Sequence, residues 1–414
     1  MSQTSNVLAP APGTAASPHT AQLPAWAHAE PGGLLSTIVE WRRQLHMHPE
    51  VAFHEVRTSE TIFQLLSAID GLSIERPTAT SVVAELHGAK PGSVIAVRAD
   101  IDALPITEEN DVSYKSVIDG AMHACGHDGH TAIVLGLATL LARHREELKG
   151  SVRFIFQHAE ELAPGGAQEL VDRGVMDGVD KIIGLHLWAP LPVGRIALIS
   201  GPAMAAPDTF TCTILGAGGH AAAPNQTVDP IAIAAQIITA LQQVVSRNID
   251  PLDPVVLSIT QFHAGTAFNV IPDSAWFAGT VRSFDADLRE SIPATMERMI
   301  KGISQGFGAR SEFVWERGYR PVVNDSELTA RLAGVVESVF GAGVLMEMRP
   351  SMGGEDFSAY QQRAPGVFAF VGAGNPARGI THPHHHPRFQ IDEQALEIGL
   401  RYLCAATLNL LSGN

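Results

Sequence analysis

Cysteine is scarce in this chain: Cys125, Cys212 and Cys404 are the only three among 414 residues. An odd, small number in so long a chain builds no disulfide framework and suits a reducing compartment. Basic clusters are missing as well. Lys and Arg number 28 against 43 Asp and Glu, for a formal net charge of −15. That balance repels polyphosphates, and no aromatic-interleaved basic stretch offsets it, so nucleic acid is excluded as a partner class. No apolar run approaches membrane-spanning length. Residues 1–32 contain no Lys or Arg and no continuous apolar core, and therefore lack the make-up of a secretory signal. Rich in Ala, Pro, Ser and Thr, they are expected to form a disordered or loosely attached tail on a soluble, cytoplasmic protein that needs no membrane.

The length exceeds one ordinary core, so two domains are expected. Leu34, Ile38, Trp41 and Leu45 recur at helical spacing, and a second helix is expected over about 57–69. Short β-rich runs at 81–86, 94–100, 152–156 and 181–186 then alternate with helical patterns, the signature of a mixed, mostly parallel sheet flanked by helices. Asp100, Asp102, Glu160, Glu161 and His186 fall just after strand ends, and active sites of open α/β sheets gather at that edge. Near Pro207 the pattern changes to β-α-β-β-α-β, contained within 207–318. The expected architecture is thus an α/β catalytic domain (33–206 and 319–414) with an inserted ferredoxin-like α+β lid (207–318).

The densest chemical signal is Met122-His123-Ala124-Cys125-Gly126-His127-Asp128-Gly129-His130-Thr131, at a strand-to-helix transition. A thiolate and an imidazole two residues apart, on a glycine-loosened loop, can face one cation. Alone, such a pair is more often a buried cysteine beside surface histidines. Three imidazoles, a thiol and a carboxylate within a short stretch favour metal. Gln157-His158-Ala159-Glu160-Glu161 follows a buried strand. Adjacent carboxylates diverge from extended backbone, so one can bind metal while the other serves as general base. Taken alone, such a pair is usually solvated surface. His186 at a strand end and the run His382-Pro383-His384-His385-His386-Pro387 complete four segments offering metal-compatible groups to one edge.

These motifs resemble the M20 metallopeptidase superfamily, in particular its branch of hippurate hydrolases, indole-acetyl-amino-acid hydrolases and N-acyl-amino-acid amidohydrolases. The resemblance spans about 33–411 and also includes Arg43–Glu50, Arg98–Pro105, Gly184–Trp188, Gly218–Ala221, Asn269–Pro272 and Met352–Phe357. It implies two divalent metal ions, zinc or manganese with cobalt or nickel as alternatives. Cys125 bridges them, Glu161 and His385 hold one, and His127 and His186 hold the other; His384 or His386 could stand in for His385. It further implies Glu160 as general base for a metal-activated water and Asp102 as the carboxylate orienting a ligand histidine. His220 and Asn269 are implied as oxyanion stabilisers, including from across a dimer interface. Arg282 is a candidate for the substrate α-carboxylate, and Gly354 a substrate-binding position. The implied substrate is a small N-acyl-L-amino acid, and the implied assembly a homo-oligomer, a dimer or tetramer through the lid. A dipeptidase or carboxypeptidase on the same scaffold is the alternative. That branch carries His where this chain has Asp100, and Asp in place of Cys125. His158 stands where the family usually has Pro. His46 and His48, before Pro49, are expected to fix a turn, and Glu355 and Asp356 either to support the site or to cap a helix.

Overall fold

The computed structural model describes residues 24–28 and 33–413. A seven-stranded sheet runs in the order Leu72–Glu75, Val82–His87, Lys149–Gln157, Lys90–Asp100, Lys181–Pro192, Gly366–Gly374, Ile196–Ala197. Its four inner strands, from Lys149–Gln157 to Gly366–Gly374, are parallel, and the outer pairings are antiparallel. The inner strands read as near-continuous apolar runs because helices cover both faces; Gly366–Gly374 is buried at every position. One face packs against the helices Leu34–Met47, His127–Arg143 and Gln394–Leu411. The other carries Ile182, Phe357, Tyr360 and Phe368 with the short helices Ala167–Asp172 and Ser358–Gln361. Parallel strands share an end, so Asp100, Gln157 and His186 emerge along a single edge.

A second sheet is wholly antiparallel, in the order Val255–Ala264, Ser274–Ser283, Ala206–Leu215, Arg310–Glu316. With the helices Pro230–Asn248 and Ala286–Gly306 it forms the β-α-β-β-α-β arrangement read from the sequence, around its own core of Phe210, Cys212, Ile237, Phe277 and Met296. Both helices start on an aspartate cap: Asp229 accepts from Ile231 N–H ahead of Pro230, and Asp285 accepts from Leu288 N–H. Buried Asp208 ties this unit to its exit, accepting from the Arg289 guanidinium (2.9 and 2.6 Å) and from Gly318 N–H (2.8 Å).

Residues 1–23 and 29–32 of the expected tail lie outside the described residues. The rest of that stretch docks: Ala25–His28 is helical, Ala27 is buried, and the Trp26 ring stacks on His144 at 4.0 Å. Its indole N–H donates to Glu147, 3.0 Å. Cys212 and Cys404 are core residues, and burial pushes both thiols up to about 12. Among the described residues no helix is long and apolar enough to cross a membrane.

Candidate metal centre and substrate cleft

Gly126 makes the first part of the site possible. Its φ of +96° lies in the left-handed region open to glycine, and it reverses the chain so that Cys125 and His127, at the helix start, face the same sheet edge. His186 arrives from the neighbouring strand with Nε2 3.5 Å from Cys125 Sγ. One ligand atom each from Cys125, His127 and His186 lie within 4.8 Å of one another, and so do those of Cys125, Glu161 and His385. Two triads that share a thiol have the donor set of a dinuclear centre.

The surrounding hydrogen bonds aim these donors inward. Asp102 accepts from His127 Nδ1–H through its carbonyl (3.0 Å) and its carboxylate (3.1 Å), which turns Nε2 toward the cluster. Leu187 C=O accepts from His186 Nδ1–H at 3.0 Å, with the same consequence. His127 Nε2 and Glu161 Oε1 are buried without a hydrogen-bond partner, an arrangement that costs free energy unless something else coordinates them. The residues fit divalent cations.

The electrostatics agree. Burial, then Glu161 and Glu160, push the Cys125 thiol well up. Burial, then His130 and His384, hold His186 well below its ordinary value, so it is neutral and free to ligate. His127 loses to burial but gains more from Asp100 and Asp102, and rises to about 10. Burial, then Glu355 and Glu161, lift Glu160 well above the carboxylate range. Such crowding of negative groups is what bound cations would relieve.

Two of the three C-terminal histidines border the cluster, His384 with Nδ1 3.9 Å from Cys125 Sγ and His385 beside Glu161. His385 has a φ of +65°, donates its N–H to Ala124 C=O (2.9 Å) and brings Nε2 to 3.3 Å from Glu161 Oε1. His384 is held instead by Ala189 N–H, which donates to its Nε2 at 3.1 Å, and leans against Trp188. His386 stacks on His382 at 4.3 Å. Accordingly, His385→Ala is expected to weaken zinc binding at one of the two positions by more than about 100-fold, beyond the usual loss for an outer-sphere partner. His386→Ala should leave it within about twofold. Competition with a chromogenic chelator reads both.

Behind the ligands, buried Arg98 pairs with Asp100 (2.5 Å), Glu355 (3.0 Å) and Asp356 (2.9 Å). Asp100 accepts from His130 Nδ1–H at 2.6 Å, and His130 Nε2 accepts from Leu187 N–H at 2.9 Å. Glu355 and Asp356 therefore support the site. Both carboxylates also meet helix starts: Asp356 accepts from Ala167 N–H (3.0 Å), the first of Ala167–Asp172, and Glu355 from Phe357 N–H (2.8 Å), ahead of Ser358–Gln361. The turn-fixing expectation for His46 is corrected: its ring is buried, 2.8 Å from Asp128 and 3.2 Å from Glu108. His158, in the usual proline position, is buried edge-on to Phe53 with Nε2 3.3 Å from Glu169.

A cleft of about 550 Å3 opens on the cluster, lined by Cys125, Glu160, Glu161, Trp188, Arg282 and Gly354, among others. Half-buried Arg282 reaches it from the second sheet, its Nε–H donating to Thr280 Oγ1 at 3.1 Å. His220 and Asn269 do not reach it. Both are exposed on a two-stranded ribbon in which Val270 pairs with His220, and neither lines the cleft.

Two cleft neighbours escaped the sequence reading. Tyr319 donates its hydroxyl to Glu160 C=O at 2.8 Å. Glu55 sits at the N-cap position of Val56–Ser67 but makes no cap bond; its carboxylate turns inward to Ala159 N–H, 2.8 Å. Burial lifts Glu55 to about 7. A carboxyl raised in the folded state keeps its proton while the unfolded chain loses it, so stability falls as pH rises from the unfolded value of 4.5 through about 7. In urea unfolding at pH 5 and pH 8, wild type is expected to lose more stability across that interval than Glu55→Gln; equal losses would remove Glu55 as the cause.

Comparison with known proteins follows the same lines. The model of peptidase family M20/M25/M40 matches residues 96–409. The chain is 54% identical over 297 residues to an N-acyl-L-amino acid amidohydrolase of Geobacillus stearothermophilus, covering 72% of this chain and 80% of that one. It is 40% identical over 366 residues to thermostable carboxypeptidase 2 of Saccharolobus solfataricus, covering 87% and 92%. Among solved structures it is similar to a Bacillus subtilis protein described as a dinuclear metal binding peptidase from the M20 family. There the TM-score is 0.81 and the identity 40%, covering 92% of this chain and 99% of the other.

Proposed function

Because the chain belongs to peptidase family M20/M25/M40, a family of hydrolases acting on amide bonds, we propose that it is a metal-dependent amidohydrolase that splits N-acyl-L-amino acids into a carboxylic acid and a free amino acid. The observation that carries this reading is a pair of buried ligand atoms without a hydrogen bond, His127 Nε2 and Glu161 Oε1, within two triads that share Cys125. Two divalent ions would be held there, one by Glu161 and His385 and the other by His127 and His186, with Cys125 between them. Zinc or manganese suits these donors, and cobalt or nickel fits the same set. When bound, the ions supply Lewis acidity toward the amide carbonyl and acidify water.

The chain's own residues do the rest. Glu160, facing the cleft beside the cluster, takes a proton from the attacking water and returns it to the leaving nitrogen. Asp102 keeps His127 in the tautomer that ligates through Nε2. The Arg282 fork, which lines the cleft, receives the substrate α-carboxylate, and Gly354 lines the same cleft against Pro207, where a Cβ would come within 2.6 Å of the proline ring. His220 and Asn269 act on the oxyanion from a second copy of the chain, docked through the lid residues 207–318; their exposure and distance from the cleft support a homo-oligomer. Three free, buried cysteines support a reducing, cytoplasmic setting.

The carboxypeptidase relative makes peptide cleavage the second reading, since a C-terminal peptide bond and an N-acyl amino acid present the same amide and carboxylate. Asp100 and Cys125, where the peptidase branch has His and Asp, favour the first. A panel of acetyl-, benzoyl-, indole-acetyl- and long-chain acyl-amino acids beside dipeptides and longer peptides decides between them. Higher kcat/KM on at least one N-acyl amino acid is expected; faster cleavage of peptides throughout would overturn the assignment.

A further inference from the structure

Three non-glycine residues among those described have positive φ: Phe53 (65°), Ala159 (51°) and His385 (65°). All lie at the metal edge, where strained backbone persists only if its surroundings impose it. For the first two, one atom does so. Glu55 Oε1 accepts from Phe53 N–H at 3.0 Å and from Ala159 N–H at 2.8 Å, and Glu55 is fully buried. One residue on, Glu160 C=O accepts from Tyr319 O–H at 2.8 Å; the next, Glu161, donates its N–H to Asp102 Oδ2 at 3.0 Å. Three consecutive backbone units are thus held by side chains from three distant segments. Tyr319 also packs where Gly165 leaves space, since a Cβ there would come within 2.8 Å of its ring.

We propose that Glu55 and Tyr319 are positioning residues, clamping the Ala159–Glu161 turn from opposite sides so that two neighbouring glutamates take different tasks. Ala159 in the left-handed region redirects the chain between the strand and Glu160. Without that turn the chain would run straight on from the strand Lys149–Gln157, and Glu161 would leave His385 and His127. Tyr319 comes from the return after the second sheet, so the base is fastened to the segment that joins the two units. Neither residue touches the reacting atoms; both act through backbone.

The activity arm of the test rests on the proposed function, and the zinc arm does not. Zinc affinity by chelator competition, kcat and KM on the best N-acyl amino acid, and thermal unfolding are measured on metal-loaded protein. Glu55→Ala is expected to weaken zinc binding and lower kcat by about tenfold or more each, with KM within about threefold. Glu55→Gln keeps an acceptor for both N–H groups and should restore both to within about threefold; a packing role alone would not separate Ala from Gln in this way. Tyr319→Phe is expected to lower kcat about tenfold while zinc affinity stays within about twofold, because Glu160 is not a ligand. If Glu55→Ala fails to fold, Glu55→Asp, which withdraws the oxygen by one methylene, takes its place with the same expectation. A folded Glu55→Ala (or its stand-in Glu55→Asp) with unchanged zinc affinity and kcat, or Tyr319→Phe with unchanged kcat, would overturn the clamp. If wild type cleaves nothing on the panel, the functional assignment fails while zinc affinity still decides the role of Glu55.

Discussion

Glu160→Gln should lower kcat by about 10² to 10⁴-fold, the usual contribution of a positioned acid–base group, while the metal content stays at its wild-type level. The reasoning is local. Glu160 is buried, faces the cleft and sits close to Glu161, Glu355 and Asp356, which with burial raise its proton affinity well above that of a free carboxylate. Cations bound beside Glu161 would relieve that crowding and leave the Glu160 carboxylate free to accept a proton from water and return it to a departing amine. Glutamine keeps the shape and the backbone clamp but can neither accept nor return a proton. KM should change little, since the contact proposed for the substrate carboxylate is Arg282 rather than Glu160. A Gln variant with wild-type kcat and full metal would remove Glu160 from the mechanism.

Arg98→Met should cost about 3–5 kcal/mol of stability, the scale for stripping a buried ion pair of one partner. The Arg98 side chain is almost completely enclosed and bonds Asp100, Glu355, Asp356 and Gln157. Removing it leaves three carboxyl groups facing each other beneath the metal centre. Asp100 is the costliest of these: despite burial, Arg98, His127 and His130 hold it well below the carboxylate range, so it stays ionised. Glu355 is lifted to about 8 by burial, against the pull of Arg98, so raising the pH through 8 ionises it and should widen the deficit. Urea unfolding at pH 7 and pH 9 measures both effects. A loss below about 1 kcal/mol at either pH would mean that the carboxylates do not depend on the guanidinium.

The legible part of the molecule is the part written in residue type and period. Buried parallel strands announce themselves as Val-, Ile- and Phe-rich runs, and their shared direction puts Asp100, Glu160 and His186 on one edge before any coordinates exist. The order of elements from 206 to 316 likewise identifies the second unit. Cys125 and His127 show because three imidazoles, a thiol and a carboxylate crowd one short stretch of the sequence. The rest depends on backbone. Which of His384, His385 and His386 meets Glu161 is decided by one left-handed residue, and three adjacent imidazoles look alike in sequence. Glu55 and Tyr319 carry no signal in the sequence, because bonds to a strained turn leave no mark on residue type. His46 finds Asp128 across 82 residues of chain, beyond the reach of local pattern. His220 and Asn269 carry a motif, yet a single chain leaves them on an exposed ribbon away from the cleft.

The most direct test of the central claim is to strip the protein with a chelator and titrate zinc or manganese back, following hydrolysis of an N-acyl amino acid against metal bound per chain. The shared-thiol centre predicts negligible rate in the stripped protein and a rise that levels off at about two equivalents, with the plateau lost in Cys125→Ala. Full activity in the stripped protein, or a Cys125→Ala variant that binds two metals and turns over as wild type does, would contradict it.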